Sequence, residues 1–172
     1  MKVDTVAAAG EWIRHAPHRS NLLGRSAEPT DGRWQHGDVV RALYLADCPE
    51  TAVAEWYRLL AERGLPPGQA IPHDHHVWEI HIEVADLSTS HQLARVGLES
   101  PRPGRRTWPP FQAVGDELFE AGYAGLIAPS AARPDAQILT IFDHGKWPPD
   151  HCRPLHAIEV LKVPAPPTGM ST

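Results

Sequence analysis

Two things are scarce in this chain of 172 residues, cysteine and lysine. Its two cysteines, Cys48 and Cys152, form neither a metal-binding nor a redox spacing, and nothing points to an oxidising compartment. Of sixteen basic residues only Lys2, Lys146 and Lys162 are lysines. The arginine fork suits phosphate contacts, although high-GC coding bias produces the same enrichment. No run approaches the roughly 20 apolar residues of a membrane span. The start, MKVDTVAAAGEW, carries an acid soon after its lysine and makes a poor signal peptide, so the expected location is the cytoplasm. A net charge of −5 argues against a general nucleic-acid binder. There is no Gly-rich phosphate loop, no Gly-x-Gly-x-x-Gly, no Gly-x-Ser-x-Gly elbow and no internal repeat.

What is present fits one domain of ordinary size, with 42% hydrophobic and 22% charged residues. Its centre is Asp31 to Arg58, DGRWQHGDVVRALYLADCPETAVAEWYR. This reads as a Gly-Arg-Trp turn, a short strand ending Leu43-Tyr44-Leu45-Ala46, and a helix. Asp47 is placed to cap that helix, with Glu50 closing a capping box and Pro49 in the first turn. Ala52, Val53, Trp56, Leu59 and Leu60 recur at helical spacing, Arg58 and Glu62 are expected on the opposite face, and Gly64 follows the end. Glu55 borders the apolar stripe, so its carboxylate is either partly buried with a partner or faces a cleft.

Elsewhere, Glu11–His15 reads as a short strand and residues 16–31 as a loop. Val77–Val84 alternates Trp78, Ile80, Ile82 and Val84 with Glu79, His81 and Glu83, a strand with one wet face. Residues 86–98 are irregular or briefly helical. The segment 100–110 is a loop whose Arg102, Arg105 and Arg106 are either a basic lip over an anion or simply solvated. Phe111, Val114 and Leu118 mark a second helix ending near Gly122. Strands follow at 125–128, 138–142 and 156–163, and the tail 164–172 is expected to be disordered. The class is α+β, a single domain with a small mixed or antiparallel sheet and few helices.

His73, His75, His76 and Glu79 include a His-x-His-x-x-x-Glu spacing similar to the first metal motif of cupins. Gly68 is one residue too close for that motif, its second half is absent, and Glu79 falls on the wet face. The cluster is therefore read as a surface loop. A noncatalytic or divalent-metal-binding protein using it is the alternative function.

Trp12-Ile13-Arg14, Gly32-Arg33-Trp34, Leu43 to Ala46 with Glu55 on the next helix, Phe111 to Gly115, and Gly122 to Ser130 occur in the order of the RES domain, which the chain resembles over residues 11–163. The family takes its name from an arginine, a glutamate and a serine, matched by Arg33, Glu55 and Ser130. The resemblance implies a fold similar to diphtheria-toxin-like ADP-ribosyltransferases. It implies a toxin of a toxin–antitoxin pair that consumes NAD as substrate by hydrolysis, phosphorolysis or ADP-ribosyl transfer. No metal is expected. The expected partner is an Xre-type helix-turn-helix antitoxin, with a protein acceptor and self-association left open. Glu55 would favour a positive sugar, Tyr44 would face the nicotinamide, Arg14 and Arg33 would meet the diphosphate, and Ser130 would orient the ribose or the nicotinamide amide. His15 joins this binding set where family members often carry an aromatic hydroxyl, and Gln35 stands where asparagine is common.

Overall fold

The computed structural model describes residues 2–23 and 30–171. Six strands and three helices follow in the order β1 (Thr5–Pro17), β2 (Ala42–Ala46), α1 (Pro49–Arg63), β3 (His73–Asp86), α2 (Ser90–Arg95), α3 (Pro109–Glu120), β4 (Gly125–Pro129), β5 (Gln137–Phe142) and β6 (Cys152–Val160). Among the described residues no helix is long and apolar enough to cross a membrane. The mixed α+β class expected from the sequence is the observed one.

The strands do not lie in one plane. β1 and β3 pair antiparallel along their whole length, from Thr5↔Ala85 to Pro17↔His73, and β6 adds to the first half of β3. β2, β5 and β4 form a second antiparallel group. Among the described residues the two groups share strand pairing at two corners. One is a short parallel contact of β3 with β4 at Ala85↔Leu126 and Asp86↔Ile127, and the other is the single register Ile13↔Ala46 between β1 and β2. Beyond that last pair β1 and β2 diverge, and the mouth they leave is where the site lies.

Three apolar layers follow from the two-residue alternation of the strands. Trp12, Trp78, Ile80, Leu43, Leu45, Leu139 and Ile141 fill the space between the two groups. Ile13, Val77, Ala46 and Ile138 meet Ala52 of α1. Trp34, Phe111, Val114 and Leu118 seat α3 against Leu126, Ala128 and Phe142.

Several local expectations are corrected. β1 starts at Thr5, not Glu11, because its small residues lie along the long edge of β3, and alanine gives no alternation signal. The N-cap of α1 is Cys48 and makes no side-chain cap bond. Asp47 instead accepts from the Gln137 amide at 2.8 Å, which holds the end of β2 to β5. Gly64 does close α1 in the left-handed conformation, φ 64°, where a side chain would be strained. Arg58 and Glu62 are not on a solvated face; both are largely buried. The last strand runs Cys152–Val160, not 156–163. The loop expected over 16–31 includes residues 24–29, which lie outside the described residues. The tail after β6 has no regular structure but returns over α1, where the Tyr57 hydroxyl donates to the Pro164 carbonyl at 2.6 Å and the Ser171 amide to the Ala132 carbonyl.

The histidine cluster is the largest correction. His73, Asp74, His75 and His76 are the opening residues of β3, paired on one side to β1 and on the other to β6, and all four are buried. His73 stacks on Trp56 of α1 at 4.5 Å and lies 5.3 Å from the His75 ring. Asp74 accepts from His18 Nδ1 and the Arg19 amide, and Glu79 pairs with Arg153. Alternation puts His76 on the face opposite His73 and His75. Among the described residues no three His, Cys, Asp or Glu side chains are grouped to hold a metal ion.

Burial keeps these imidazoles neutral, with His75 pushed down to about 4 and His73 and His76 also lowered. Their folded values lie below the ordinary 6.5, so the unfolded chain takes up more protons below that pH. Their contribution to stability is therefore complete above 6.5 and is lost as the pH falls below it, for His75 through about 4. Melting temperature should drop steadily from about pH 7 to about pH 5, and His75→Gln should flatten the slope. A melting temperature that is level over that window would contradict the burial of neutral histidines.

Candidate active site

The cleft between β1 and β2 opens into a cavity of about 740 Å³. That is within the usual size of a small-molecule site, roughly 300–1,000 Å³. β1 contributes Arg14 and His15, the Gly-Arg-Trp turn Arg33, β2 Tyr44, and α1 Glu55 and Arg58, all on its wall. Of the three loop arginines weighed as a basic lip, Arg105 reaches the wall, with its guanidinium 5.3 Å from the Trp108 ring.

Each side chain is held by a different element. Glu55 is fixed from both sides: its Oε1 accepts from Ser130 Oγ at 2.6 Å and lies 3.4 Å from the Ala132 amide, and its Oε2 accepts from Arg58 Nε at 2.7 Å. Ser130 is fully buried at the end of β4. Its Oγ also accepts from the Ala132 and Arg133 amides at 3.1 and 3.0 Å, so the turn after β4 is wound around it. Ser130 is not among the cavity-lining residues, and its contact with the site is made through Glu55.

Arg33 is 8% exposed. It donates from Nη1 to Thr107 Oγ1 at 3.1 Å and from Nη2 to the Arg102 carbonyl at 2.7 Å, with its guanidinium 5.3 Å from the Phe111 ring. It therefore ties the 102–107 loop to the site. Desolvation, with Arg58 nearby, lowers it to about 10, so it remains a cation at neutral pH. Arg14 is also lowered by desolvation. Burial, with Arg14 beside it, pushes His15 down to about 3, so its imidazole is neutral on the wall.

Tyr44 serves the turn as well as the wall. Its hydroxyl donates to Gln35 Oε1 at 2.5 Å and accepts from the Trp34 amide at 2.9 Å, and burial raises its pKa. Gly32 is required beside it, because a Cβ there would fall 2.4 Å from the tyrosine oxygen. Gln112 of α3 donates to the Gly32 carbonyl at 3.0 Å, and Gly115 lets α3 meet Trp34, whose carbonyl oxygen would lie 1.9 Å from a Cβ. The Phe111–Gly115 segment is thus the support of the Arg33 turn.

The structure brings Arg14, His15, Arg33, Tyr44 and Glu55 to one cavity and places Ser130 behind Glu55. It adds Arg58, which helical spacing alone sets on the face opposite the apolar stripe. The Glu-x-x-Arg-x-x-x-Glu spacing of Glu55, Arg58 and Glu62 carried the signal, since such residues share one side of a helix.

The RES domain family model matches residues 5–160. The NAD(+) phosphorylases MbcT of Mycobacterium bovis and Mycobacterium tuberculosis are each 29% identical to this chain over 120 residues, covering 66% of it. The chain spans 63% of the length of those relatives. The M. tuberculosis MbcT–MbcA toxin–antitoxin complex, known from a crystal structure, contains a chain of the same fold. The TM-score is 0.77 at 20% identity, covering 91% of this chain and 87% of that one.

Removing the Tyr44 hydroxyl leaves Gln35 Oε1 and the Trp34 amide without their partner. Tyr44→Phe should therefore lower unfolding free energy by about 1–3 kcal/mol in a urea melt. A loss below about 0.3 kcal/mol would show that the turn does not depend on that hydroxyl.

Proposed function

The chain belongs to the RES domain family, and on that premise we propose that it is a toxin that consumes NAD by cleaving the bond between nicotinamide and ribose. One observation carries this reading: a carboxylate, Glu55, is fixed through both oxygens on the wall of a cavity that also presents Arg14 and Arg33. Breaking that bond leaves a sugar with oxocarbenium character and releases a neutral nicotinamide, so the reaction needs a placed negative charge more than a strong acid.

In this reading Glu55 stabilises the developing charge and holds a ribose hydroxyl. Ser130 acts by fixing Glu55. Arg33 and Arg14 neutralise the diphosphate, His15 lines the same subsite as a neutral donor or acceptor, and the Tyr44 ring offers an apolar face to nicotinamide. The rate comes from electrostatic preorganisation: the site is set before the charge develops. Phosphate is the favoured acceptor because the MbcT relatives are named NAD(+) phosphorylases, with water and a protein side chain as competitors. The setting we propose is the cytoplasm, where an Xre-type helix-turn-helix antitoxin would cover the cleft; the similar MbcT chain is known in a toxin–antitoxin complex with MbcA. The catalytic domain is taken as 11–163, with the tail outside it.

Purified protein should deplete NAD and release nicotinamide. Glu55→Gln should lower that rate by about 100-fold or more, and Ser130→Ala by about tenfold through loss of the carboxylate's anchor. His73→Gln, away from the cavity wall, should stay within about threefold of the parent. Full activity in Glu55→Gln, or its loss in His73→Gln with the fold intact, would overturn the assignment and favour the histidine cluster.

A further inference from the structure

α1 carries Glu55, Arg58 and Glu62 at intervals of three and four residues, which places them side by side along one stripe of the helix. Arg58 lies between the carboxylates: Nε donates to Glu55 Oε2 and Nη1 to Glu62 Oε1. The side chains are 13%, 16% and 8% exposed in sequence order, so this is a buried ion triad and not a surface pairing. Desolvation alone would lower Arg58, but the two carboxylates outweigh it and its pKa is raised. Glu62 Oε1 also lies 3.3 Å from the Gly104 amide, and its Oε2 is buried without a hydrogen-bond partner among the described residues.

Glu55 and Arg58 both line the cavity, whereas Glu62 does not. Arg58 therefore has one arm on the reaction centre's carboxylate, one on a carboxylate behind the wall, and a third amine, Nη2, with no hydrogen-bond partner among the described residues. Arg33 and Arg14 already supply cations for a diphosphate, so Arg58 is a further cation, and it is the one bonded to Glu55.

We propose that Arg58 binds the anionic acceptor, inorganic phosphate, next to Glu55, and that Glu62 fixes Arg58 for this role. The inference rests on the NAD-cleaving reading and names the second substrate's subsite. Its physical reason is charge. A phosphate that attacks the sugar's anomeric carbon must approach the carboxylate that stabilises that carbon, and the two anions repel at that distance. Water meets no such barrier. A guanidinium shared by carboxylate and phosphate offsets the repulsion, and its planar fork can serve both at once. Clamped between two carboxylates of its own helix, it holds that orientation before phosphate arrives.

The step balances without a redox partner. The bond from the anomeric carbon to the pyridinium nitrogen breaks, and its electron pair stays on nitrogen, releasing neutral nicotinamide. A phosphate oxygen lone pair forms the new carbon–oxygen bond, giving ADP-ribose 1″-phosphate, and the remaining phosphate proton is released to water. With water as acceptor the product is ADP-ribose and one proton.

The test follows NAD cleavage by the purified full chain over a titration of inorganic phosphate, with the two products separated by chromatography. Arg58→Gln should raise the phosphate KM about tenfold or more and shift the product ratio toward ADP-ribose to the same degree, while the NAD KM moves less than about threefold. Arg58→Lys, which retains charge without the fork, should fall between the two, and it decides the matter if Arg58→Gln does not fold by thermal melt. Glu62→Gln should raise the phosphate KM about threefold or more without the NAD KM following, the signature of a positioning residue. If the phosphate and NAD KM values rise together in Arg58→Lys, or the product ratio stays fixed, Arg58 serves only to hold Glu55 and the proposal fails. A parent protein that cleaves NAD with no phosphate dependence also defeats it while leaving NAD cleavage standing. A parent inert toward NAD overturns the underlying reading instead.

Discussion

The position of the Glu55 carboxylate is the constraint on which the site depends, and two elements, the end of β4 and α1 itself, converge to set it. Its oxygens are taken separately, Oε1 by the buried Ser130 hydroxyl at the end of β4 and Oε2 by Arg58 one turn along α1. A carboxylate accepting from two directions has little freedom to rotate, and burial makes each bond stronger than its counterpart in water. The helix is in turn fixed by Ala52 against Ile13, Val77, Ala46 and Ile138, so the apolar stripe and the charge are registered to the same corner of the fold.

That corner explains why the cavity is there. A continuous sheet would have closed β1 onto β2 along their length; here they share only Ile13↔Ala46 and then part. Arg14 and His15 lie just past the parting on one lip, with Leu45 and Tyr44 on the other. The Arg33 turn closes a third side, and its shape is set by close approaches that tolerate no Cβ at Gly32 or Gly115. In this chain, a member of the RES domain family, the Gly-Arg-Trp motif and the segment ending at Gly115 are thus two halves of one support, far apart in sequence and touching in the fold.

Much of this was legible in the sequence where a local rule governed. Gly64 ended α1 because a left-handed residue was needed there, and Val77 to Val84 announced β3 through strict alternation. The convergence of Arg14, Arg33, Tyr44 and Glu55 came from motif order. What was missed depended on tertiary contacts. Asp47 looked like a cap, but its carboxylate was claimed by the Gln137 amide of a distant strand. Arg58 and Glu62 looked solvated because charged residues on a helix usually are, while Arg58, bonded to both Glu55 and Glu62, draws the three into a largely buried triad. The polar run His73 to His76 had no apolar signature, yet pairing on both edges and the Trp56 ring above it made it interior strand. Ser130, which the family resemblance assigns to orienting the ribose or the nicotinamide amide, bonds Glu55 and the following turn within the chain, contacts that no local sequence rule announces.

The decisive question is whether the fixed carboxylate in this cleft breaks the nicotinamide–ribose bond. The most direct measurement is a proton NMR time course of NAD incubated with the purified chain, in which free nicotinamide and the ribose anomeric proton are resolved together. Nicotinamide should appear as the anomeric signal of NAD disappears, one for one. NAD left intact by folded protein would contradict that expectation.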